Sequence, residues 1–215
     1  MNNIVISIII FIEFILLIIH SFYVRGKKNT LWFFGVGLIY SFIREFNMSH
    51  TTRPLYQGTS LLFFGVPFLI LIGWVFHFYL SLWLAEKVLG LRKYKITSNR
   101  IYAITIISAF FMVVFSLAGE PIGAALGWWS WNKSNVYDLL WFLGMPINVL
   151  MGWFLTGGMF VFSYLVFLSK YRIKLFSLVV LFLSALIYPL STWPTIISCT
   201  LLGLYFVFCV NYFHH

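Results

Sequence analysis

Two glutamates are the residues of this sequence best placed to do chemistry. Glu45 follows Arg44 at the end of one apolar run, and Glu120 precedes Pro121 at the end of another. A charged side chain is costly at membrane depth, so one found there is a candidate for function by default. If both runs are membrane helices of the same direction, the two carboxylates lie at similar depth, and we treat them as one candidate site.

Each glutamate also has a simpler interpretation. Arg44 and Glu45 could be interfacial charges whose side chains reach the lipid headgroups, and Glu120 could mark only a helix end before Pro121. We favour a buried site for Arg44 and Glu45, because without them the second apolar run is too short to span a bilayer.

Aromatic side chains gather after the second glutamate. Trp128, Trp129 and Trp131 could form a belt at the membrane interface, or their ring faces could line a pocket that stabilises a cation. Asn148 shares a helix face with Gly144 and Gly152, which indicates either a packing seam or a functional group. We interpret His77, in the third apolar run, as a packing residue.

The composition is that of a membrane protein. Of the 215 residues, 62% are hydrophobic and 9% are charged, and the mean hydropathy is +0.97. A soluble domain carries about 25% charged residues, so the composition excludes a soluble enzyme, a disordered chain and a disulfide-stapled secreted domain. The pI of 9.7 does not indicate nucleic-acid binding, because the basic residues are spread through short gaps between apolar runs.

We therefore predict an all-α, polytopic membrane bundle that forms a single integral membrane domain over residues 1–215 and lies in the cell membrane. The apolar runs cover residues 4–24, 30–43, 59–85, 101–119, about 139–169, and 175–211. Pro189 and Pro194 divide the last run in two, because proline disrupts a helix interior. The sequence thus predicts seven transmembrane helices, of which the sixth is short.

The basic residues predict an orientation. With the N-terminus outside, the segments 25–29, 86–100 and 170–174 are cytoplasmic and hold eleven Lys and Arg, against three on the other side. This asymmetry is the positive-inside pattern and places the C-terminus in the cytoplasm. The first run has its basic residues behind it, so we expect it to be retained as a helix rather than removed as a signal peptide.

The sequence lacks the residues that several classes of membrane enzyme need. Asp138 is the single aspartate, so a clustered-aspartate Mg²⁺ site is excluded, and the five histidines lack the spacing of a di-iron site. No lysine follows Lys174 to form a retinal Schiff base, and Cys199 and Cys209 lie on different helix faces. We expect no cofactor and no metal.

The order of the polar and aromatic motifs is informative. It reads Glu45, Tyr56, Gly65-Val66-Pro67, Trp74, Glu120-Pro121, Trp129-Ser130-Trp131, Gly144-Met145-Pro146-Ile147-Asn148 and Gly152-Trp153. Over about residues 40–155 the chain resembles the carotenoid biosynthesis family of bisanhydrobacterioruberin and γ-carotene hydratases. Glu120-Pro121 stands where that family usually has Asp-Pro.

The resemblance implies cofactor-free addition of water to the terminal C=C of an acyclic carotenoid ψ-end. A neutral carboxylic acid must protonate the alkene, and a held water must capture the tertiary carbocation. Glu120 is our choice for the acid because it lacks an adjacent cation, and Glu45, paired with Arg44, would orient the water, with the two roles open to exchange. The residues that we expect around the substrate are Arg44, His50, Tyr56, Pro67, Trp74, Trp129, Trp131, Asn148 and Trp153.

The expected partners are a carotenoid or other polyisoprenoid substrate and the lipid bilayer, with no nucleic acid. Other membrane enzymes of carotenoid biosynthesis are candidate partners. The alternatives are a carotenoid end-group cyclase, a transporter of an apolar metabolite built around a broken helix near Pro146, and a non-catalytic membrane assembly partner.

Overall fold

The computed structural model describes residues 3–51, 55–56, 61–90, 98–130, 141–142, 145–169 and 174–187. These residues form six α-helices joined by short segments. The helices are α1 (Asn3–Arg25), α2 (Lys27–Thr51), α3 (Phe68–Val88), α4 (Ser98–Ala125), α5 (Asn148–Leu168) and α6 (Lys174–Ile187). The all-helical prediction is confirmed for this part of the chain, and the seventh predicted helix, with both cysteines, lies outside it.

Three two-residue strand pairs lie at the end of the bundle where α2 and α4 end and α3 and α5 begin. The strands are β1 (Leu55–Tyr56), β2 (Leu62–Phe63), β3 (Val66–Pro67), β4 (Trp129–Ser130), β5 (Trp141–Phe142) and β6 (Met145–Pro146). The antiparallel pairs are β1 with β4, β2 with β3, and β5 with β6. The β1–β4 pair therefore joins the segment that follows α2 to the segment that follows α4.

Two predicted helices begin later than expected. The predicted run 59–85 becomes a β2–β3 hairpin followed by α3 from Phe68, and the run 139–169 becomes α5 only from Asn148. At the first hairpin Phe64 and Gly65 have φ of 49° and 79°, which a right-handed helix does not allow. A short apolar run does not distinguish a hairpin from a helix, which is why the prediction was wrong there.

Two other helices continue past their predicted ends. Helix α2 runs to Thr51, so Glu45 lies inside it rather than at its end, and α4 continues through Pro121 to Ala125. The interpretation of Glu120 as a mark of the helix end is therefore wrong. Proline lacks only one backbone donor, and α4 accommodates that loss in its last turns.

Among the described helices, four are long and apolar enough to cross a membrane: Val5–Arg25, Phe68–Val88, Asn99–Ala125 and Asn148–Leu168. Helix α5 lies at the centre and is buried over most of its length, because α2, α3, α4 and α6 all pack against it. Phe160 of α5 stacks on Phe78 of α3 with ring centroids 4.4 Å apart. Gly157 lets α5 approach Met112 of α4, since a Cβ there would lie 2.3 Å from the Met112 side chain. The orientation in the membrane stays a prediction.

Candidate active site

Glu45 lies buried between α2 and α3 and has two strong partners. Its side chain forms an ion pair with Arg44, and Trp74 Nε1 donates a hydrogen bond to Glu45 Oε1 over 2.8 Å. The Arg44 guanidinium lies 4.3 Å from the centroid of the Trp74 ring. Arg44 and Glu45 are 4% and 2% exposed, so they do not act as headgroup charges in this fold. The structure thus favours the buried site of the two interpretations.

Glu120 has a matching environment between α4 and α5. Trp153 Nε1 donates a hydrogen bond to Glu120 Oε1 over 2.7 Å, and the glutamate is 7% exposed. Glu45 and Arg44 lie close enough to act on it electrostatically. Each glutamate is therefore held by the indole N–H of the next helix along the chain.

The two indoles connect the glutamates. Trp74 and Trp153 have ring centroids 4.3 Å apart and planes inclined by 31°. The chain of contacts Glu45–Trp74–Trp153–Glu120 brings α2, α3, α4 and α5 to one point. We call these four residues together with Arg44 the paired-glutamate site.

Trp129 lies at the edge of this site. Its ring packs on Gly123 of α4 so closely that a Cβ at Gly123 would lie 2.1 Å from ring carbons. Its buried indole N–H interacts electrostatically with Glu120 but has no hydrogen bond of ordinary geometry within the described part of the chain. The backbone of Trp129 pairs with that of Tyr56 across β1 and β4. The ring is half-buried and directed into the protein, which favours the pocket over the interfacial belt.

The other predicted site residues are placed less closely. Pro67 is buried as the residue that precedes α3, and Asn148 begins α5 with an exposed side chain. Of His50 and Tyr56 the structure describes the backbone alone, at the end of α2 and in β1. Trp131 lies outside the described residues.

His77 is a site neighbour that the sequence interpretation treated as packing. Its Nδ1 lies 2.7 Å from the Gly73 carbonyl oxygen, and its ring is 5.2 Å from that of Trp153 and 5.3 Å from that of Phe115. His77 follows Trp74 by three residues on α3, which puts both side chains on one helix face. That spacing is the signal that could have identified it.

A second buried charge pair lies at the opposite end of the bundle and was not predicted. Arg25 donates to both carboxylate oxygens of Glu86, over 3.1 and 2.7 Å. The guanidinium also lies 5.4 Å from the Tyr79 ring and 5.8 Å from the Tyr164 ring. Arg25 directly follows the first apolar run, where the sequence predicts a loop charge, and no local spacing relates it to a partner 61 residues away.

Within the described ranges, no three His, Cys, Asp or Glu side chains lie together as metal ligands would. The expectation that the protein needs no metal or cofactor stays a prediction.

Apolar helices that can cross a membrane, with two buried carboxylates held by indole donors, define a helical membrane protein that carries an internal polar site. A family model described as "Carotenoid biosynthesis protein" matches residues 4–210. Because this match covers nearly the whole chain, the protein belongs to that family of carotenoid biosynthesis proteins. No curated protein and no solved structure matches the chain significantly.

Proposed function

We propose that this protein is a cofactor-independent carotenoid hydratase that adds water to the terminal C=C of an acyclic ψ-end. Membership of the carotenoid biosynthesis family supplies the substrate class. The observation that carries the proposal is the pair of buried glutamates joined through Trp74 and Trp153. Hydration of an isolated alkene needs a proton donor, a surface that tolerates a cation, and one held water.

The different partners of the two glutamates support different roles for them. An isolated alkene is a weak base, so its proton donor must be a neutral carboxylic acid, a form that apolar surroundings favour. Glu120 accepts a hydrogen bond from an indole and forms no ion pair within the described structure, so it is the acid. Glu45 forms an ion pair with Arg44 and is suited to accept hydrogen bonds from the attacking water.

Protonation leaves a tertiary carbocation, which an aromatic face stabilises without attacking it. Arg44 and Trp153 both lie 4.3 Å from the Trp74 ring, so the faces of Trp74 are already covered. Trp153 and Trp129 are then the rings that can face the cation. Both interact with Glu120 through the indole N–H edge, so the two rings and the proton donor lie in the same part of the site.

Expression in a host that accumulates lycopene tests the proposal. Pigments are extracted and their masses determined, with the Glu120→Gln variant as the matched negative control at equal membrane level. The proposal predicts a tertiary alcohol heavier than lycopene by one water. An isomer of unchanged mass with a ring would instead identify an end-group cyclase, and unchanged lycopene would contradict both reactions.

A further inference from the structure

His77 is held in one defined protonation pattern. A carbonyl oxygen only accepts hydrogen bonds, so the 2.7 Å contact with Gly73 requires the proton of the neutral ring to be on Nδ1. The other nitrogen, Nε2, then carries a lone pair. The 2.7 Å contact with Gly73 uses Nδ1 and leaves Nε2 outside that hydrogen bond.

The same ring lies beside the paired-glutamate site. It meets Trp153 edge to face, at 78° between planes, and Trp153 is the residue that donates to Glu120. It lies one helical turn along α3 from Trp74, the donor to Glu45. A neutral imidazole with a lone pair on Nε2 thus contacts the indole that donates to Glu120 and lies one helical turn from the indole that donates to Glu45.

The reaction needs a group of this kind. When water attacks the carbocation, the new C–O bond leaves a positively charged oxygen that must lose a proton. Glu45 can orient the water but is a poor proton acceptor, because its contacts with Arg44 and Trp74 stabilise the ionised carboxylate. The contact of Nδ1 with the carbonyl four residues back satisfies a buried donor, and it leaves Nε2 as the ring nitrogen that can take a proton.

We propose that His77 is the catalytic base that removes a proton from the attacking water, an inference that rests on the proposed hydration. Glu120 gives its proton to one alkene carbon, and the π electrons form the new C–H bond. A water lone pair forms the C–O bond at the cationic carbon while Nε2 takes one water proton. The imidazolium then returns that proton to the Glu120 carboxylate, so water is added and no charge accumulates.

Two isotope readouts on one sample test this role. Wild type and variants in lipid nanodiscs are supplied with lycopene in D₂O, and both the alcohol and the recovered lycopene are analysed by mass spectrometry. Deuterium in recovered lycopene reports protonation of the alkene and return of a proton to Glu120, whereas alcohol reports completed hydration.

His77→Asn is the main variant, because its amide N–H can still reach the Gly73 carbonyl while the Nε2 base is absent. We expect its hydration to fall by about 10²-fold or more, the scale of a general base, with deuterium exchange within a few-fold of wild type. Phe115→Leu changes a packing neighbour of His77. It should change hydration and deuterium exchange by the same factor. His77→Gln provides a second variant if the Asn form does not fold.

The outcomes separate the two proposals. If wild type makes the alcohol and folded His77 variants make it at a similar rate, His77 is not the base. If the variants lose exchange and hydration together, His77 acts by packing and the inference is also wrong. If wild type makes no alcohol, the proposed function itself fails.

Discussion

The indole rings of Trp74 and Trp153 lie 4.3 Å apart, and each donates its N–H to a different glutamate. The glutamates belong to α2 and α4, and the indoles belong to α3 and α5. Four helices therefore fix the distance between two carboxylates through one aromatic contact. A change at either indole should therefore alter the positions of both carboxylates.

Glu120→Gln should abolish hydration and leave the protein folded. Glutamine keeps the size of the side chain and an oxygen that accepts from Trp153, but it carries no transferable proton. The loss should be about 10²–10⁴-fold in rate, measured as alcohol formed per amount of folded protein in membranes.

The matched control is Glu13→Gln, which makes the same chemical change on the exposed face of α1. We expect it to be nearly silent. An active Glu120→Gln beside an inactive Glu13→Gln would show that the wrong carboxylate, at the wrong depth, had been assigned as the acid.

Gly123→Ala should displace Trp129 and lower activity. The added Cβ would lie 2.1 Å from ring carbons of Trp129, so the ring must leave its place beside Glu120. Hydration should fall roughly 10-fold if the ring contributes a cation–π term of about 1–2 kcal/mol.

Gly119→Ala is the control for that experiment, because a Cβ at Gly119 meets nothing within 4 Å. It lies one turn earlier on α4 and should keep near-wild-type activity. Intrinsic tryptophan fluorescence reports the displacement of Trp129. Equal activities of Gly123→Ala and Gly119→Ala would show that Trp129 is not part of the site.

Glu86→Gln should destabilise the protein without changing the contacts within the paired-glutamate site. The substitution leaves the Arg25 guanidinium buried without its carboxylate, which typically costs about 3–5 kcal/mol. Thermal unfolding in detergent should show a large decrease in the midpoint. The neighbouring Lys87→Gln, at an exposed position over Trp83, should cost less than about 1 kcal/mol, and equal midpoints for the two variants would contradict a structural role for the ion pair.

Reporter fusions should place the N-terminus outside and the C-terminus in the cytoplasm. The buried ion pair removes Arg25 from the basic residues that face water, and the remaining imbalance still has the same sign. A fusion at His215 that is active only on the outer side would overturn this orientation.

The sequence predicted helix bounds most accurately where a single physical rule, the length of an apolar run, determines the structure. Helix α1 agrees with its apolar run to within a residue at each end, because an apolar run of that length, interrupted only by Glu13 and His20, has no competing structure. The starts of α3 and α5 were wrong because apolar residues stabilise hairpins and helices alike, and the backbone at Phe64 and Gly65 decides between them.

The sequence indicated the residues of the paired-glutamate site as candidates but did not predict their contacts. Polar residues in an apolar chain identified Glu45 and Glu120, and the motif order added Trp74 and Trp153. Which indole binds which glutamate depends on how α2–α5 pack, and spacing along the chain carries no such information. For the same reason, the sequence did not predict the pairing of Arg25 with Glu86, which joins α1 to α3.

The central claim is tested most directly with the purified protein in lipid nanodiscs, supplied with lycopene under anaerobic conditions in oxygen-18 water containing a chelator. A hydration that uses only a proton and water predicts the tertiary alcohol with the heavy oxygen in its hydroxyl group, formed at the rate seen in air without chelator. Turnover that stops when O₂ or metal is removed, or an alcohol without the label, would contradict the account.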